Sequence, residues 1–146
     1  MSLDSNLPGS EELAANINSV IGGPPSIMVV DDDDDIRWLM GQMLRSHGYR
    51  VIEAATAAEA ESNALEHHPH LILMDLSMPG TDGLTAIWNI RKQPGMATVP
   101  VIIVSAYDAF DLRAEAAAVG CCGYITKPLD TTELQAAVKS ALEASY

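Results

Sequence analysis

The chain is short of basic residues, short of cysteine and without a long apolar run, and each shortage narrows what it can be. Eight Lys and Arg stand against 20 Asp and Glu, a net charge of −12. Such a surface repels nucleic acid and anionic membrane, because binding either requires a basic face. No apolar stretch reaches the ~20 residues that a bilayer-spanning helix needs. The N-terminal segment lacks the charged start and apolar core of a secretory signal. The two cysteines, Cys121 and Cys122, are adjacent and too constrained for an ordinary disulfide, so cysteine usage gives no sign of an oxidising compartment. A cytoplasmic protein is expected. What remains is 146 residues, 48% of them hydrophobic, enough for one domain with a real core.

Five short apolar runs alternate with five amphipathic segments. The runs are Ile27 to Val30, Arg50 to Ala54, Leu71 to Met74, Val101 to Val104 and Gly123 to Thr126. Between and after them, helical periodicity covers 35–47, 57–67, 83–92, 109–119 and 131–144. Thr56-x-x-Glu59 and Asp130-x-x-Glu133 match the capping box that opens a helix. Gly48 and Gly120 suit helix ends. Strands alternating with helices imply a parallel sheet covered on both faces, and their continuous rather than alternating hydrophobicity agrees. The expected class is therefore α/β, a doubly wound five-stranded parallel sheet.

Residues 1–25 fall outside this pattern. Ser10 suits the cap of a short amphipathic helix with Leu13, Ile17, Val20 and Ile21 on one stripe, and Gly22-Gly23-Pro24-Pro25 reads as a linker. A helix so short is marginal alone and is expected to pack on the domain, a second copy or an upstream domain.

The chemistry gathers at strand ends, where open α/β sheets build their sites. The first strand ends at Asp31 and Asp32, the third at Asp75, the fourth at Ser105 and the fifth at Lys127; the second ends only in alanines. Three carboxylates facing one ammonium leave excess negative charge, and two unit charges ~4 Å apart interact by roughly 4 kcal/mol at a surface-like dielectric. Such a cleft either raises carboxylate pKa values or recruits a divalent cation, and an all-oxygen donor set favours magnesium over zinc. A carboxylate beside Mg2+, a lysine and a hydroxyl suits phosphoryl transfer.

The stretches "IMVVDDDDDIR", "LILMDLSMPGTDGL", "VIIVSAYD" and "GYITKPLD" resemble the four signatures of the response-regulator receiver domain of two-component signalling, in that family's order and spacing over roughly residues 26 to 145. The resemblance implies a flavodoxin-like fold with strand order 2-1-3-4-5 and a receiver domain over 26–146. It implies Asp75 as phosphoacceptor, Asp32 as a direct magnesium ligand, Asp31 acting mainly through a bound water, and the backbone carbonyl of Ser77 completing the protein's ligands. Lys127 would pair with Asp75 at rest and with the phosphoryl group afterwards. Ser105 would donate its hydroxyl to that group, and Tyr124 would be the switch aromatic that follows it. The Lys127–Pro128 peptide would be cis. The implied partners are a sensor histidine kinase or phosphotransfer protein as donor and an output partner on the face of the fourth helix, fifth strand and fifth helix; nucleic acid and membrane are not expected, and homodimerisation stays open. The domain would act as a switch rather than an enzyme, catalysing only its own phosphorylation and dephosphorylation. The chain is read either as a stand-alone receiver or as a piece of a larger protein such as a hybrid kinase.

Asp33 and Asp34 depart from the commonest family pattern, and both suit a helix N-terminus. By the same resemblance, Ser77 and Tyr107 would occupy the family's two variable positions that modulate phosphoryl lifetime. Trp38 falls opposite the face formed by Ile36, Leu39, Met40, Met43 and Leu44, and an exposed tryptophan there suits donor docking or cover by the N-terminal helix. His67, His68 and His70 read as a solvated helix end, and Met40, Met43 and Met74 as core filler. Two other functions stay open. A phosphatase resembling the haloacid-dehalogenase family would make Asp31 the nucleophile with Asp33 two residues on. A receiver-like interaction module would never be phosphorylated.

Overall fold

The computed structural model describes residues 23–76, 83–106 and 110–144, with the side chains of 110–112 not described. Among the described residues, five strands alternate with five helices: β1 (Ser26–Val30), α1 (Asp34–Ser46), β2 (Arg50–Ala54), α2 (Ala57–His67), β3 (Leu71–Asp75), α3 (Gly83–Arg91), β4 (Val101–Ser105), α4 (Phe110–Ala118), β5 (Gly123–Thr126) and α5 (Thr131–Ala144). All pairings are parallel, in the order β2-β1-β3-β4-β5. The sequence segments anticipate each element to within one residue at either end. Among the described residues no helix is long and apolar enough to cross a membrane. The N-terminal helix expected from Ser10 lies outside the described residues.

The buried strands need apolar side chains on both faces because each face meets helices. Met28, Val30, Ile72, Met74 and Ile103 pack with Ala60, Ala64, Ile87, Ile90 and Ala116, from α2, α3 and α4. The alternate positions Ile27, Val29, Leu73, Ile102 and Val104 pack with Met40 and Leu44 of α1 and Leu134 and Val138 of α5. Successive strand residues thus feed two cores, which removes the polar–apolar alternation of a one-sided sheet. Strands β2 and β5 lie at the two edges, and β2 is the one with exposed positions.

Helix ends follow the expected chemistry, with one change. Thr56 Oγ1 accepts the Glu59 N–H at 3.1 Å, while the Glu59 carboxylate takes the N–H of Ala55 at 3.0 Å rather than that of the cap residue itself. Asp130 Oδ1 accepts from the N–H groups of Thr132 and Glu133. Gly48 and Gly120 hold φ of +88° and +83°, where a Cβ would be strained. At Gly83 a Cβ would stand 2.6 Å from Leu76 Cδ2 and 3.4 Å from the backbone oxygen of Asp75. Glycine there lets the first turn of α3 sit on the end of β3.

The histidine cluster divides. His67 and His68 are exposed at the end of α2, as expected. His70 is exposed as well, but it also has a partner: its Nδ1 accepts the Ser26 N–H at 3.0 Å, at the start of β1. Burial, and then the charge of Arg50, lowers its pKa below 6.5. A proton on Nδ1 would remove that acceptor. The unfolded chain binds this proton more readily than the folded one. The contribution of His70 to stability is therefore intact above pH 6.5 and lost as pH falls toward its folded pKa. In a histidine-resolved NMR titration we expect the His70 ring to titrate below 6.5; a midpoint above that value would refute the assignment.

Candidate functional site

The sheet order places β1, β3, β4 and β5 side by side, so their C-terminal ends present Asp31, Asp75, Ser105 and Lys127 along one edge. Asp75 is the last residue of β3 and pairs in register with Val104; Ser105 ends β4 opposite Thr126. The Lys127 N–H donates to the Ser105 carbonyl at 2.8 Å, continuing the ladder one residue past β5. The Lys127–Pro128 peptide is cis.

The side chains converge. Lys127 Nζ lies 3.0 Å from Asp31 Oδ2 and 3.3 Å from Asp75 Oδ2. Asp31 and Asp75 are 0% and 2% exposed, and the Ser105 side chain is also buried. Asp32 is exposed, yet one carboxylate oxygen from each of Asp31, Asp32 and Asp75 lies within 4.8 Å of the others. A single lysine thus bridges two buried carboxylates while a third stands at the mouth. Burial raises the Asp31 pKa, and the Asp75 charge adds to this; the Asp33 N–H and Lys127 oppose it without cancelling it. Burial alone would lower the Lys127 pKa, but its hydrogen bond to Asp31 and the charges of Asp75 and Asp31 raise it. The ammonium stays protonated, and the acidic excess favours a further cation.

That donor set fits magnesium. Three carboxylate oxygens are close enough to share one ion, no His or Cys among the described residues joins their cluster, and Asp32 opens toward water, which magnesium retains in its shell. The fourth expected ligand, the carbonyl of Ser77, lies outside the described residues, as does Tyr107.

The aspartate run divides by partner. Asp31 Oδ1 accepts the Asp33 N–H at 2.9 Å, closing the turn after β1. The Asp33 carboxylate caps α1, accepting from the N–H groups of Asp35 and Ile36. That commits the group which the phosphatase reading needs as its second aspartate. Asp34 pairs with Arg37. The sequence reading gave Arg37 no role, yet it holds the acidic turn in place: Nη1 donates to the Asp31 carbonyl at 2.8 Å, and Nε to Glu53 Oε1 at 3.1 Å. The signal was the Asp34-x-x-Arg37 spacing, which puts acid and base on one helix face.

Away from the cleft, Trp38 is 59% exposed. Leu39, assigned by periodicity to the apolar face of α1, is 43% exposed beside it. Its place at the margin of the stripe leaves it beyond the reach of the sheet, while Met40 and Leu44 are buried. Burial pushes the Cys121 thiol up to about 11 and raises Cys122 as well, so both are poor nucleophiles. Tyr124 is half-buried on β5, against the α2–α4 core.

Comparison with known proteins agrees with this geometry. The family model described as response regulator receiver domain matches residues 27–139. The phosphate regulon transcriptional regulatory protein PhoB of Pseudomonas aeruginosa is 32% identical over 117 residues, covering 80% of this chain and 51% of that protein. The chain thus spans about half the length of such curated relatives. A CheY-like receiver domain from Methanospirillum hungatei superposes with a TM-score of 0.79 at 27% identity, over 84% of this chain and 97% of that one. The receiver domain of a Pseudomonas aeruginosa sensor histidine kinase, solved with a magnesium ion coordinated in its active site cleft, gives a TM-score of 0.75 at 30% identity, over 83% and 99%.

Proposed function

The chain belongs to the response regulator receiver domain family, and from that premise we propose that it is the phosphoacceptor switch of a two-component phosphorelay. Residues 26–146 form the receiver, and 1–25 an extension leading into it. The observation that carries the reading is Asp75, a carboxylate 2% exposed at the end of β3, 3.3 Å from Lys127 Nζ and within 4.8 Å of two other aspartates.

The Asp75 carboxylate attacks the phosphorus of a phosphohistidine on a sensor kinase or phosphotransfer protein; the P–N bond breaks and the imidazole leaves. Asp32, Asp75 and the Ser77 carbonyl would hold magnesium, with Asp31 acting mainly through a bound water. When bound, the ion neutralises charge developing on the phosphoryl oxygens. Lys127 exchanges its contact with Asp75 for a phosphoryl oxygen, and Ser105 donates its hydroxyl to another. Tyr124 follows Ser105 inward, and the face of α4, β5 and α5 changes its partner preference, a local charge event biasing a two-state element. The proposed donor and output partner would meet the domain in the cytoplasm. Neither nucleic acid nor membrane is a partner of this domain, and apart from its own acyl phosphate it turns over no substrate.

Labelling with acetyl phosphate in the presence of magnesium, followed by mass spectrometric mapping, tests this. The expected product is one acyl phosphate on Asp75. An adduct on Asp31 would favour the phosphatase reading, and no adduct would leave an interaction module. Trp38 on the outer face of α1 is assigned to docking of the donor, since aromatic anchors dominate such interfaces. Trp38→Ala is expected to slow transfer from the cognate donor at least ~10-fold, the equivalent of roughly 1.4 kcal/mol, while leaving acetyl-phosphate labelling unchanged. Equal losses with both donors would refute it.

A further inference from the structure

The guanidinium of Arg113, on the second turn of α4, lies over the ring of Tyr124 with Cζ 4.4 Å from the centroid. We propose that Arg113 is a positioning residue that holds the switch aromatic in its resting place and so sets how readily the domain activates. This rests on the reading of Tyr124 as the aromatic that moves when Asp75 is phosphorylated.

Three observations support it. The contact is present while Lys127 bridges Asp31 and Asp75, the arrangement expected of the unphosphorylated domain. Arg113 is exposed and Tyr124 half-buried, so the contact sits at the rim of the core, where a ring can exchange one environment for another. The ring is also bounded from within by apolar side chains of the α2–α4 core; the cation is thus an outer polar partner opposing a greasy inner one. Guanidinium attraction to an aromatic face is electrostatic and falls away once the ring leaves. It therefore favours the position in which it is made. By linkage, whatever it adds to the resting state must be overcome by any ligand that selects the inward state.

A rim contact of this kind corresponds to a two- to fivefold effect, the equivalent of about 0.5–1 kcal/mol. Arg113→Ala should shift the side-chain rotamers of Tyr124 toward those seen with magnesium and beryllofluoride, a phosphoryl analogue, before any analogue is added. Three-bond couplings to Tyr124 Cγ report those populations directly. The same variant should reach half-saturation at two- to fivefold lower beryllofluoride, and Arg113→Lys, which keeps a cation, should lie nearer the wild type. Unchanged Tyr124 couplings in analogue-free Arg113→Ala would overturn the proposal, as would a higher half-saturation point. A wild type that binds no beryllofluoride would instead overturn the phosphoacceptor reading, and the clamp would then stand or fall on the analogue-free couplings alone.

Discussion

Asp75→Asn is expected to abolish magnesium-dependent phosphorylation by acetyl phosphate and, without magnesium, to make the domain more stable. The first effect is chemical: an amide oxygen is a poor nucleophile and cannot form the acyl phosphate. The second follows from charge. Among the described residues, Lys127 at 3.3 Å attracts the Asp75 carboxylate, while Asp31 and Asp32, each with an oxygen within 4.8 Å, repel it. At an effective dielectric of ~20 the attraction is worth roughly 5 kcal/mol and each repulsion at least ~3.5 kcal/mol, so these three pairs taken by themselves sum to a cost of roughly 2 kcal/mol. Screening of the exposed Asp32 trims that figure, and desolvation of Asp75 adds to it. A gain of about 1–3 kcal/mol in magnesium-free urea unfolding is expected, shrinking when magnesium is added because the ion stabilises the wild type by binding its folded state. Lys127→Met should move stability the other way, since it leaves two buried carboxylates without their shared cation. An Asp75→Asn domain less stable than wild type in magnesium-free buffer would show that the cleft is not charge-strained. Function here is held against stability, as expected of a site built to attract an ion.

Most of this site was legible because its parts are fixed by topology. In a parallel sheet every strand points the same way, so residues at equivalent strand ends must meet at one edge. Asp31, Asp75, Ser105 and Lys127 were therefore brought together by the strand assignment itself, and that assignment was readable because each buried strand holds four consecutive apolar residues. The order of strands was a different matter: nothing in the periodicity picks out β2 and β5 as the two edges, and the order came from the family resemblance. What stayed hidden were contacts between long polar side chains on separate elements. Arg37 reaching the Asp31 carbonyl and Glu53, and Arg113 reaching Tyr124, depend on rotamers and interhelical spacing that a one-dimensional pattern does not carry. His70 is similar: its solvated reading followed from polarity and a neighbouring proline, whereas its partner Ser26 lies 44 residues away. Leu39 shows the limit of periodicity from the other side. A stripe assigns a residue to a face but not to the part of that face the sheet covers.

The run of five aspartates supplies the sharpest test of the divided site. Asp32→Ala is expected to lower the apparent affinity for magnesium at least ~100-fold, beyond the 10–100-fold typical of losing a group that only supports a ligand, and with it the rate of phosphorylation. Asp34→Ala should change both by less than ~2-fold, because its carboxylate is 84% exposed and spent on Arg37, an exposed pair of a kind worth about 0–1 kcal/mol. Arg37 keeps its bonds to the Asp31 carbonyl and to Glu53 without Asp34, so the acidic turn has no reason to move. Asp33→Ala should fall into a third class. It removes the cap of α1, at about 1 kcal/mol of stability, while the Asp33 N–H that bonds Asp31 belongs to the backbone and survives. The proposed function thus gives three neighbouring carboxylates three separable roles: ligand, helix cap and surface pair. Magnesium titrations of the three variants, followed beside their unfolding curves, separate those roles. Parallel losses of magnesium affinity across all three would mean that the run acts through its summed charge, and that its division by partner has no consequence for binding.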